Sequence, residues 1–134
     1  MAVMFIDLDN FKSINDFYGH DAGDHVLRSI AKRLTATTRS DDTISRYGGD
    51  EFLYLLTEIH DEAQVMLFAE KLVRTIQAPC TVSGQGATVH IEVKASVGIS
   101  LFPEDGVTSE ILVAKADEAM YLAKQSRGGI SFAK

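Results

Sequence analysis

Two pairs of carboxylates in this chain have the spacing to hold a divalent cation: Asp7 with Asp9, and Asp50 with Glu51. Asp7-Leu-Asp9 ends an apolar run. Residues two apart on a strand face the same way, so both carboxylates can leave a sheet together. An ionised carboxylate at the end of a buried strand is costly unless it is paired or metal-bound. Asp50 and Glu51 follow Gly48 and Gly49 at the tip of a hairpin pattern, and a hairpin laid beside the first strand would bring Asp50 close to Asp7. Clustered carboxylates repel one another. Mg²⁺ relieves that repulsion through oxygen ligands and keeps contact with substrate phosphates. Two such ions can activate an attacking oxygen and stabilise a leaving pyrophosphate. The plainer alternative is that all four acids are solvated turn residues.

Competing motifs fail on their spacing. A calcium-binding loop starting at Asp7 needs Asp or Asn at 11 and Gly at 12, where the chain has Phe11 and Lys12. There is no Gly-Lys-Ser/Thr phosphate loop and no His-Glu-x-x-His. Cys80 is the single cysteine, so neither an internal disulfide nor a multi-cysteine zinc site is available. His60 and His90 read as surface residues.

The elements that would position these acids are visible in the hydrophobic pattern. Met1 to Leu8 reads as a strand buried on both faces. Asp21 to Thr38, Asp61 to Gln77 and Thr108 to Ser126 carry helical apolar stripes. Thr43 to Tyr47 and Phe52 to Leu56 are short strands around the glycine pair, whose residues accept the positive φ of a hairpin turn. Cys80 to Val82 pairs with a long alternating strand from Val89 to Leu101. Ile130 to Phe132 is a last short strand. Mixed strands and helices suggest a sheet covered on one face, in an α+β or α/β sandwich.

With 134 residues the chain is one domain, able to bury roughly two-thirds of its unfolded surface. Thirteen basic against 19 acidic residues give a net charge of −6, which argues against a DNA or RNA partner. The lone cysteine and the lack of a spanning apolar run or a basic-led leader fit a cytoplasmic setting. The start inside an apolar run reads as a piece of a larger protein.

Arg46-Tyr-Gly-Gly-Asp-Glu-Phe52 resembles the GGDEF signature of diguanylate cyclases. Asp7-Leu-Asp-Asn-Phe-Lys-Ser-Ile-Asn-Asp16, then Gly19-His20 and Gly23-Asp24, resembles that family's nucleotide segment. Ala116-Asp-Glu-Ala-Met-Tyr-Leu-Ala-Lys124 resembles its C-terminal helix. The segments stand in family order over the whole chain.

The resemblance implies a ferredoxin-like palm: a βαββαβ core with a mixed, mainly antiparallel sheet flanked by helices, similar to the adenylyl cyclase and polymerase palms. It implies condensation of two GTP into cyclic di-GMP and two pyrophosphates by two domains facing each other as a homodimer. It places Mg²⁺, with Mn²⁺ as an alternative, on Asp7, Asp50, Glu51 and the Leu8 carbonyl. Asp50 takes the proton-acceptor role, with Glu51 in support, and Lys12 touches phosphate. Asn15 and Asp24 match the guanine readers, although alone they read as a turn residue and a first-turn helix acid. His20, Phe11 and Leu27 line the same pocket, Gly48 and Gly49 admit the nucleotide, and Lys124 and Arg127 hold its phosphates. Arg39-Ser-Asp-Asp42, with five residues between it and Gly48, resembles the inhibitory site for the cyclic product, with Lys71 or Arg74 as its further base.

The match departs from the family in two places. The family's opening Asp-x-Leu-Thr-Gly-Leu-x-Asn-Arg segment and helix are missing, so residues 1–134 read as a GGDEF domain lacking roughly 30–40 N-terminal residues. The closing Ala-Lys-x-x-Gly-Arg reads Ala123-Lys124-Gln-Ser-Arg127-Gly128, with glycine and arginine exchanged. A rival reading is a non-catalytic module that binds GTP or cyclic di-GMP and regulates a fused sensory or EAL phosphodiesterase domain.

Overall fold

A computed structural model describes residues 1–59, 61–84, 87–126 and 129–133. His60, Gln85, Gly86, Arg127, Gly128 and Lys134 lie outside the described residues.

β1 (Ala2–Asp9) is the central strand of the main sheet. All seven positions from Ala2 to Leu8 are buried, Asp7 included, as a strand covered on both faces requires. Around it lie β2 (Thr43–Arg46), β3 (Glu51–Leu56), β6 (Lys94–Leu101) and β7 (Ile130–Phe132), in the order β2-β3-β1-β6-β7. All pairs are antiparallel except β6 with β7. β4 (Cys80–Gly84) and β5 (Ala87–Ile91) form a separate two-stranded ribbon. The fold is α+β and palm-like.

The period of two divides β1 between two cores. Ala2, Met4, Ile6 and Leu8 pack with α2 (His20–Thr37) and α3 (Glu62–Gln77). Val3 and Phe5 pack with Leu112, Ala116 and Met120 of α4 (Ser109–Ser126). The sheet is therefore covered on both faces, not on one. Asp7 has the parity of Val3 and Phe5, so it emerges on the α4 side.

Two further expectations are corrected. The alternating run from Val89 to Leu101 is two strands: it breaks at Glu92 and Val93, and β5 leaves the main sheet. The polar-side residues of β6 are not solvated. Ser96, Gly98 and Ser100 face α4, and both serines are buried. Their small size lets the helix lie close: a Cβ at Gly98 would overlap the Ala116 carbonyl oxygen.

A short helix, α1 (Phe11–Tyr18), precedes α2. It starts from Asn10 in the left-handed region at φ 55 and ends at Gly19, φ 96, a backbone angle that favours glycine. α3 begins at Asp61, whose carboxylate accepts from the Gln64 N–H at 2.8 Å. It ends before Pro79, where Arg33 of α2 donates to the Ala78 and Pro79 carbonyls at 2.5 and 2.7 Å. Among the described residues no helix is long and apolar enough to cross a membrane.

Candidate functional site

The β1–β3 register sets Asp7 opposite Glu51. One step on, the Leu8 N–H donates to the Asp50 carbonyl at 3.0 Å. A regular hydrogen-bonded antiparallel pair exchanges both bonds. Among the described residues the Asp50 N–H returns none to Leu8, where the chain turns away into the hairpin tip. The Leu8 carbonyl is left on the side of that tip.

The tip is held from inside. The Glu51 carbonyl accepts from the Tyr47 and Gly48 N–H groups at 2.8 and 3.3 Å. The Arg46 guanidinium donates to the Gly48 carbonyl at 3.2 Å and to the Gly49 carbonyl at 3.1 and 2.8 Å. Neither glycine has a positive φ; among the described glycines only Gly19 and Gly129 do. Their use here is room. A Cβ at Gly48 would stand 2.7 Å from Glu51 Oε1, and the space at Gly49 is open. Arg46 belongs to the signature, but its role as a clamp on the loop carbonyls was not apparent from residue type.

Asp7 is 6% exposed. Burial raises its pKa, with Asp50 and Asp9 adding to the shift and the Lys124 ammonium opposing it. Glu51 is also raised, by burial and then by the charges of Asp7 and Asp50. Lys124, in the last turn of α4, is bonded to Asp7 Oδ2. Burial works against its charge, but the bond to Asp7 and the fields of Asp7, Asp9 and Asp50 raise its pKa overall. Asp9 is held aside by Ser96 Oγ, which donates to it at 2.8 Å.

Among the described residues no three Asp, Glu, His or Cys side chains converge as a self-sufficient metal cage. Asp7, Asp50 and the Leu8 carbonyl lie at the same end of the β1–β3 pair and offer hard oxygens. That donor set fits Mg²⁺, which is held by one or two carboxylates and completed by phosphates and water. Lys124 supplies the compensating charge at Asp7.

The residues expected around a base lie on α1 and α2. Phe11 and Leu27 are buried in the main core, 6% and 7% exposed. Asn15 is half-buried, while Lys12, His20 and Asp24 are exposed. Among the described residues no hydrogen bond or ion pair joins this group to the acids.

Arg39 and Asp42 form a second site beyond the far end of β3. Arg39 Nε donates to Asp42 Oδ2 at 2.8 Å. Asp42 Oδ1 accepts from the Thr57 N–H at 3.0 Å, anchoring the turn to the residue after β3. Burial pushes the Asp42 carboxyl up, but the bonds from Arg39 and Thr57 hold it below the usual aspartate range. Arg39 stays half-exposed, its guanidinium 6.0 Å from the Phe68 ring centre. A cavity of about 230 Å³ opens there, lined by Arg39, Glu58, Phe68 and Lys71 among others. Lys71, not Arg74, shares that cavity with Arg39. A six-residue strand, about 20 Å long, separates this corner from Glu51.

Comparison with known proteins gives one consistent picture. A family-wide profile described as "Diguanylate cyclase, GGDEF domain" matches residues 1–129. The chain is 47% identical over 132 residues to the bifunctional diguanylate cyclase/cyclic di-GMP phosphodiesterase MucR of Pseudomonas aeruginosa, covering 98% of this chain and 18% of MucR. It is 36% identical to the cyclic di-GMP phosphodiesterase NbdA of the same organism, covering 92% of this chain and 15% of NbdA. The crystal structure of the GGDEF domain of TpbB from Pseudomonas aeruginosa superposes with a TM-score of 0.90 at 42% identity, covering 99% of this chain and 81% of that one. The chain thus spans less than a fifth of the length of MucR and NbdA.

Proposed function

The chain belongs to the GGDEF family of diguanylate cyclase domains, and from that premise we propose that it condenses two GTP into cyclic di-GMP and two pyrophosphates. The observation that carries this reading is the Leu8–Asp50 bond with Asp7 opposite Glu51, which gathers the acidic oxygens at one edge of the sheet.

Two copies face each other, each holding one GTP, and the 3′-hydroxyl of each nucleotide attacks the α-phosphate of the other. Asp7, Asp50 and the Leu8 carbonyl would hold Mg²⁺, or Mn²⁺, with Glu51 alongside. When bound, the cation supplies charge neutralisation around the α-phosphate and the leaving pyrophosphate. Asp50 accepts the 3′-hydroxyl proton, supported by Glu51 next to it in the chain. Lys124 moves from Asp7 to the phosphates, and Lys12 adds a second positive charge to them. Asn15 and Asp24 pair with the donor edge of guanine, with His20, Phe11 and Leu27 around it. Gly48 and Gly49 leave room for the nucleotide at the hairpin. Cyclic di-GMP binds back at Arg39, Asp42 and Lys71 and inhibits.

The test is incubation with GTP and Mg²⁺ and chromatography for cyclic di-GMP, with Asp50→Ala as control. Product that disappears in the variant supports the cyclase. A second reading, a non-catalytic GGDEF module that binds nucleotide and regulates a fused domain, is favoured by the similarity to NbdA. GTP binding without turnover, in the chain and in its longer parent protein, selects that reading.

A further inference from the structure

α2 carries a glycine where helix propensity argues against one. Gly23 is the fourth residue of the helix and is buried, and only proline is a poorer helix former. Its missing side chain makes room for Asn15. A Cβ built at Gly23 would overlap Asn15 Oδ1, and would stand 2.8 Å from Asn15 Cγ and 3.5 Å from Phe11 Cζ. The carboxamide therefore rests on the bare backbone of α2, with the Phe11 ring beside it.

The bend between the helices sets up this contact. The Gly19 N–H donates to the Asn15 carbonyl at 2.8 Å, and the Gly19 carbonyl accepts from the Gly23 N–H at 3.1 Å. Among the described residues the Asn15 carboxamide makes no hydrogen bond. Packing alone sets its place, and its donors and acceptor stay open to a ligand. Asp24 follows Gly23 directly and is exposed.

We infer that Gly23 is a positioning residue for base selection: its bare backbone seats the Asn15 carboxamide next to Asp24, so that both can reach the edge of one guanine. The inference rests on the guanine reading of Asn15 and Asp24 proposed above. A purely structural glycine makes the opposite forecast. There, alanine improves the helix and leaves nucleotide preference alone.

The test measures affinities of the full chain for the α,β-methylene analogues of GTP and ATP, which cannot release pyrophosphate. The variants are Gly23→Ala, Asn15→Ala and the double. Gly23→Ala is expected to weaken the GTP analogue roughly tenfold, the loss of about one hydrogen bond, and to leave the ATP analogue unchanged. The double variant should bind no more weakly than Asn15→Ala alone, since the two changes remove the same contact. Retention of full GTP preference by Gly23→Ala, or equal loss of both analogues, overturns the inference. If Gly23→Ala does not fold, the double variant decides. Folding restored by removing the Asn15 side chain supports the seat, and a double variant that also fails to fold overturns it. A wild-type chain without preference for the GTP analogue overturns the guanine reading itself, and the seat with it.

Discussion

The Lys124 ammonium is bonded to Asp7 Oδ2, tying the last turn of α4 to the end of β1. The pair joins the two groups that a metal–nucleotide complex would separate: Asp7 toward a cation, Lys124 toward phosphate. Lys124 offsets a carboxylate that is buried and flanked by Asp9 and Asp50. One ammonium against the carboxylates of Asp7, Asp9, Asp50 and Glu51 leaves this edge acidic, and a bound cation would exchange one positive partner of Asp7 for another.

Asp7→Asn should separate stability from activity. A carboxyl whose folded pKa stands above its unfolded value binds its proton more readily when folded. Its contribution to stability therefore falls as pH rises from the ordinary aspartate value of 3.8 through the folded value. At pH 8 without metal, the variant should melt no lower than wild type, while cyclic di-GMP formation drops by at least about 100-fold, the loss of one strong electrostatic stabiliser. Melting curves with and without Mg²⁺ and GTP check both parts: the ligand-induced rise should be present in wild type and absent in the variant. A variant that melts well below wild type would show that the carboxylate is chiefly structural.

The Arg39–Asp42 corner predicts the opposite pH behaviour. The Asp42 carboxyl is held below 3.8, so the stability it adds is fully present above that value and is lost as pH falls through the depressed folded value. Asp42→Asn weakens the pairing with Arg39 and can turn an amide donor against the Thr57 N–H, costing about 1–3 kcal/mol near neutrality. The difference in melting temperature between wild type and variant should hold steady from pH 7 to 5 and shrink below about pH 4. A difference independent of pH down to 2 would show that the ionised form is not what the fold uses.

Lys71 and Arg74 can be told apart by position. Lys71 lines the cavity with Arg39, and Arg74 does not. Lys71→Ala should weaken cyclic di-GMP binding roughly tenfold, about the value of one charge-assisted hydrogen bond. Arg74→Ala should leave it unchanged, and Arg39→Ala should weaken it further than either. Calorimetric titration with the cyclic dinucleotide measures all three. Loss in Arg74→Ala with none in Lys71→Ala would place the ligand elsewhere.

What could be read in the sequence was whatever depends on neighbours along the chain. Asp7 and Asp9 follow from a period of two, the hairpin at Gly48 from the two short strand patterns that flank it, although neither glycine takes the positive φ expected of it, and Arg39 with Asp42 from a separation of three residues. What could not be read depends on tertiary packing. Phe11–Tyr18 is eight residues long, too short to be a stable helix by itself, and it forms because Phe11 and Ile14 dock on the core. The break at Glu92 is hidden because Ile91, Val93 and Ala95 keep alternating and stay buried across it. The second covered face was missed because Ser96, Gly98 and Ser100 look like a solvated side, whereas small residues are what a close helix needs.

Gly98 makes that last relationship testable. A Cβ there would overlap the Ala116 carbonyl oxygen and the Met120 backbone nitrogen and stand 2.8 Å from Met120 Cα. These are backbone atoms, so no side-chain rotamer can relieve the clash, and α4 must move off β6. Gly98→Ala should cost about 1–3 kcal/mol, a fall in melting temperature of roughly 3–10 °C. Lys124 lies one turn beyond Met120, so the same displacement shifts its ammonium relative to Asp7 and should lower turnover. Preference for GTP over ATP should survive, because α1 and α2 sit on the other face of the sheet. Adding Ala116→Gly should not rescue either loss, since the obstacle is a carbonyl and not the Ala116 methyl. Rescue by that second substitution would mean that the two elements meet through side chains and that the close backbone approach is not what aligns Lys124 with Asp7.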